Sequence, residues 1–123
     1  MWVNLILGLK DIGKEIKSFR KKEREDLADL LNLVGDLLLE IADAFEGDEY
    51  PYTECATIET MGNSIVKHMT RFLKKENRKD VAELFEPFES LQDEWERRHE
   101  AGVIDEMRST AGEFKGFAAL FKL

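Results

Sequence analysis

From residue 27 to residue 45 the chain reads LADLLNLVGDLLLEIADAF, and its polar positions Asp29, Asn32, Asp36, Glu40 and Asp43 recur every three or four residues. At about 100° per residue these five fall in one strip of a helix, roughly 80° wide. Apart from Gly35, the rest of that cylinder is apolar. A helix so one-sided must bury most of its circumference. The stretch therefore reads as the central post of a helical bundle, spanning about residues 25–47, with Gly47 expected in the left-handed position that ends it.

The same period marks the other elements. Residues 1–22 place Leu5, Leu9, Ile12, Ile16 and Phe19 at helical spacing. Only the charged run RKKERED separates them from the post, so the two make either one long helix or a pair kinked between Ser18 and Glu25. Thr53 is the expected N-cap of a helix over 54–76, whose Cys55, Ile58, Gly62, Ile65, Met69 and Phe72 form a bundle seam. Asp80 and Glu83 have the spacing of a capping box for a helix over 81–100. That helix carries an apolar stripe of Val81, Leu84, Phe85, Phe88, Leu91 and Trp95, with Pro87 predicting a kink inside it. After Gly102, residues 103–121 bury Ile104, Met107, Ala111, Phe114, Phe117, Ala118 and Phe121, and Gly112 and Gly116 are expected to admit a neighbouring backbone. No stretch alternates as a strand does. The expectation is an all-α protein, one domain over 1–123. It is an antiparallel, up-and-down bundle of four core helices with an additional N-terminal helix or helical extension.

Composition narrows the function classes. A net charge of −8 argues against nucleic acid as a partner, because phosphate binding needs a dominant basic surface. The single Cys55 leaves no intramolecular disulfide and no cysteine-based zinc site. The opening MWVNLILGL is apolar for only nine residues and lacks both a basic lead and a small-residue cleavage site. A cytoplasmic setting is expected on these grounds. The post itself is interrupted by a polar residue at nearly every turn and is not a transmembrane span. Charge changes sign along the chain, and residues 25–66 hold eleven acids without one Lys or Arg.

Four constellations bear on chemistry. Asp36, Glu40 and Asp43 share one helix face and would hold a divalent cation if a second acidic helix faced them; a solvated face is the plainer alternative. Glu23-x-x-Asp26 and Glu40-x-x-Asp43 resemble, over eight positions, the paired acidic motifs of all-α nucleotide pyrophosphohydrolases. In that family the motifs lie on facing helices, whereas an unbroken helix here would separate them by about 25 Å. Glu96-x-x-His99 has the spacing of a di-iron half-site, but a second pair is missing, since Ile65 stands three residues before His68. Cys55 and His68, thirteen residues apart on one helix, lie about 20 Å from each other and form no dyad. No cofactor and no complete catalytic constellation is expected.

Two surfaces stand out instead. Thr53, Thr57, Thr60, Ser64 and His68 line an uncharged side of the third element, suited either to packing of the N-terminal segment or to a partner. Trp2, Leu5, Ile6 and Leu9 precede a dense basic run, a pattern that fits docking on the bundle, docking on a second copy, or contact with an anionic membrane. The function expected is a non-catalytic protein–protein interaction module, with self-association through the N-terminal helix as one arrangement. The alternative is a membrane-surface effector or sensor using that helix. A metal-dependent hydrolase built on the acidic strip ranks third.

Overall fold

Apolar spacing and burial coincide along the second helix. Leu27, Ala28, Leu31, Val34, Gly35, Leu38, Ile41, Ala42 and Phe45 are its buried residues, and the same positions form the apolar face read from the sequence. The computed structural model describes residues 2–78 and 81–123. Its elements are α1 (Trp2–Lys17), α2 (Lys21–Glu46), α3 (Tyr52–Phe72), α4 (Lys75–Arg78), α5 (Val81–Leu84), a 3-10 turn (Glu86–Glu89), α6 (Leu91–Glu96) and α7 (Val103–Phe121). Among the described residues there is no strand, and the fold is all-α.

The main axis is the pairing of α2 with α7, which run antiparallel: Asp29 meets Lys122, Asp36 meets Lys115 and Asp43 meets Arg108. Each side advances by seven residues, close to two helical turns, so successive partners stay on one edge. Gly35 lies inside this contact. A methyl group there would stand 2.8 Å from Lys115 Cγ and 3.0 Å from the Ala111 carbonyl oxygen. Gly112 and Gly116, the glycines expected to admit a backbone, face open space instead. Arg24 closes the far end, donating from Nη1 to the carbonyls of Phe121 (3.2 Å) and Leu123 (3.3 Å). A guanidinium at those carbonyls also suits the negative end of the α7 dipole.

Between α1 and α2 the chain turns at 18–20 rather than continuing as one helix. The hydroxyl of Ser18 donates to the Glu15 carbonyl at 2.5 Å, competing with the backbone ladder. Phe19 turns its ring to Phe72, 5.8 Å between centroids. At the next joint Gly47 keeps a negative φ of −86°, and Asp48 takes the left-handed conformation at +57°. Asp tolerates that region better than most residues do. The third helix begins at Tyr52 with Pro51, not Thr53, in the capping position, and ends at Phe72 rather than 76. The expected capping box on Asp80 lies outside the described residues.

The helix expected over 81–100 is broken into three short pieces. Pro87 has no N–H to donate, and the bonds around it close over three residues, Phe88 N–H to Phe85 O and Ser90 N–H to Pro87 O, both 3.2 Å. What reads as a kink is a 3-10 turn that drives Phe85, Phe88 and Leu91 inward. Phe88 fills the space left by Gly62 on α3, and its ring sits between those of Trp2 (5.6 Å) and Phe114 (5.7 Å). One core thus joins α1, α3, the 3-10 turn and α7. Gly102, at φ +86°, opens α7, whose bounds match the sequence reading.

Candidate functional site

The acidic strip is not an open metal site. Asp36 is paired with Lys115, while Arg108 reaches Asp43 and Glu46, both at 2.8 Å, and Lys122 reaches Asp29 at 2.7 Å. Glu40 is exposed and stands outside this ladder. The hydrogen bond and charge of Arg108 hold the Glu46 carboxyl below its ordinary range. Asp29, by its hydrogen bond and charge, pushes the Lys122 ammonium up. Two of the three expected ligands, Asp36 and Asp43, are therefore already neutralised by α7. Among the described residues no group of three His, Cys, Asp or Glu is placed to hold a metal ion.

Trp2, Leu5, Ile6 and Leu9 do not form an outer surface. They are buried in the core with Ile12 and Ile16, so the apolar side of α1 contacts the chain's own bundle. Val3 and Leu7 are the apolar residues that α1 leaves exposed, along a groove bounded by Lys10 and by Glu106, Ser109 and Glu113 of α7. No helix among the described residues is long and apolar enough to cross a membrane.

Cys55 is buried beside Tyr50. Burial pushes its thiol up, and burial together with the neighbouring thiol raises the Tyr50 hydroxyl to about 12. Neither group is activated as a nucleophile at neutral pH. His99 lies 3.3 Å from Asp48, not beside a second Glu-x-x-His pair.

His68, expected on the uncharged side of α3, is half-buried and serves as a tie: its Nε2 lies 3.0 Å from the Glu23 carbonyl on α2. The remaining residues of that side stay exposed. Thr57 donates to the Thr53 carbonyl (2.8 Å), Thr60 to Ala56 (3.1 Å) and Ser64 to Thr60 (3.2 Å), so each hydroxyl spends its hydrogen on its own helix. Tyr52, Ala56 and Met61 complete an open depression of about 540 Å³ with Thr53, Thr57 and Thr60, and none of these six carries a charge. The hydroxyl side chains are legible in the sequence as a strip. Tyr52 is missed there because the helix starts two residues earlier than the Thr53 signal suggests.

A further feature escaped the sequence reading. Glu94 is 3% exposed, the one acid so deeply buried among the described residues. Within QDEWERRHE it is one acid among several, and the expected stripe of Leu91 and Trp95 turns once the helix is broken at Pro87. Trp95, half-buried, takes the guanidinium of Arg98 over its ring at 3.6 Å, and Arg98 also pairs with Asp48 at 3.0 Å. This clasp joins α6 to the turn after α2.

Comparison of the chain with models of protein families, with curated proteins and with solved structures finds no match in any of the three.

Proposed function

We propose that the chain is a non-catalytic interaction module that meets a protein partner through the outward face of α3, in a cytoplasmic setting. The observation that supports this is the uncharged strip from Thr53 to Ser64 on a protein in which 36% of residues are charged. A face without ions loses no charge hydration on contact, and hydroxyls already donating inward strand no donor when water leaves. Tyr52, 78% exposed at one end, offers a rigid aromatic of the kind enriched at interface centres. A second copy is among the partners that suit it, because two chains of charge −8 repel least through an uncharged side.

The test places a photo-crosslinking residue at Thr60 and, as a control, at Lys21. Discrete adducts are expected at Thr60 only, with light scattering showing whether the adduct is a second copy. Thr57→Arg with Thr60→Arg should remove the adduct while leaving the thermal melt unchanged. Equal adducts at both positions would overturn the reading.

A further inference from the structure

The uncharged strip of α3 runs into a second, smaller pocket of about 200 Å³, which shares Tyr52 and Ala56 with the depression described above. Its other walls include Tyr50, Phe88, Glu59 and Glu89. The rings of Tyr50 and Tyr52 meet edge to face, 4.8 Å between centroids, and Tyr50 is held in turn by Phe45 (5.9 Å) and Trp95 (5.6 Å). Tyr52 is 78% exposed, so a face of its ring stays open. Glu59 and Glu89 are exposed as well, and among the described residues neither is paired with a cation. A pocket of this volume falls below the roughly 300 Å³ at which small-molecule clefts begin, and it is sized for one side chain.

We propose that this pocket receives an arginine side chain of the partner, an inference that rests on the α3 face being the contact surface. Aromatic rings offer their negative faces to a cation, and carboxylates at the rim balance its charge. The chain makes the same combination for itself one ring further along, where Arg98 lies over Trp95 at 3.6 Å and pairs with Asp48 at 3.0 Å. Tyr52, Glu59 and Glu89 repeat the ring and the carboxylates of that clasp on a surface open to a partner. Arginine suits it better than lysine. A planar guanidinium stacks on a ring while its fork reaches a carboxylate, and it is the more weakly hydrated of the two cations. The surrounding charge agrees, since residues 25–66 hold eleven acids and no Lys or Arg. The uncharged strip then supplies contact area, and the pocket at its end fixes which way round the partner lies.

The test titrates the full chain with N-acetyl-arginine amide and follows the backbone amide shifts by NMR. Saturable shifts are expected in residues 50–56 and 89–92, with none of that size around the exposed Glu40. N-acetyl-citrulline amide, which keeps the shape and lacks the charge, should produce none, and N-acetyl-lysine amide should bind more weakly. Glu59→Gln with Glu89→Gln, or Tyr52→Ala alone, should weaken the arginine derivative by about fivefold. All three side chains are exposed, so the fold should survive. Shifts of equal size at Glu40, an equal response to the citrulline or lysine derivative, or unchanged affinity in both variants would overturn the proposal. Adducts at Thr60 without a saturable arginine site would likewise overturn it and leave the α3 reading standing. Equal adducts at Thr60 and Lys21 would overturn the α3 reading itself, whatever the pocket binds.

Discussion

A methyl group added to Gly35 would stand 3.0 Å from the carbonyl oxygen of Ala111, so α2 and α7 touch at a point with no room for a side chain. Part of the obstacle is backbone, which cannot swing aside, and the Cγ of Lys115 stands at 2.8 Å beside it. Gly35→Ala should therefore destabilise the protein by about 1–3 kcal/mol despite the better helix propensity of alanine. Gly112→Ala and Gly116→Ala, facing open space, should be neutral or stabilising by up to about 1 kcal/mol. Urea unfolding of the three variants makes the comparison. Equal midpoints for Gly35→Ala and the parent would mean that the helices do not cross there.

Leu38 and Ile41 are fully buried on α2. Truncating either to Ala removes apolar contacts and leaves a cavity, at a cost of about 2–5 kcal/mol. Leu33→Ala on the same helix, 52% exposed, should cost far less. Chemical denaturation of all three reads the difference directly, and similar losses at all three would place the wrong face inward.

Acid should weaken the α2–α7 edge. Arg108 holds the Glu46 carboxyl below the ordinary value of 4.5, so its contribution is complete above 4.5. It is lost as pH falls through the lower folded value. The thermal midpoint should therefore decline between pH 5 and pH 3. In Arg108→Gln the midpoint at pH 7 should be lower by a few degrees and the further decline in acid shallower. Parallel pH curves for the variant and its parent would show that the pairs with Asp43 and Glu46 do not couple to folding.

The sequence carried the long helices well and the joints poorly, for an identifiable reason. Apolar period records which side of a helix is buried, and so α7 falls on its predicted bounds and α2 presents its predicted face. A joint depends on local competition for one or two carbonyls. Ser18 taking the Glu15 carbonyl leaves no Gly or Pro signature, and Pro87 announces a disturbance without saying that the helix will stop. The acidic strip of α2 was visible at once, but its partners were not. Arg108, Lys115 and Lys122 lie scattered through the last helix, and their common edge appears only when it is wound beside α2. Of the proposed surface, the hydroxyls of α3 were legible. The inward turn of Trp2 was not, because an amphipathic helix looks the same whether its apolar side meets a core, a membrane or a second chain.

The seven-residue spacing of the ladder has a consequence of its own. If α7 slid along α2 by seven residues, Asp29 would face Lys115 and Asp36 would face Arg108, and two of the three rungs would survive. A ruler with identical marks cannot report a displacement of one mark. Alignment must then come from features that occur only once, namely the gap at Gly35 that receives Ala111 and the Arg24 side chain that fits the end of α7 and nowhere else along it. Buried apolar faces hold these two helices together, and a missing methyl group tells them where to stop.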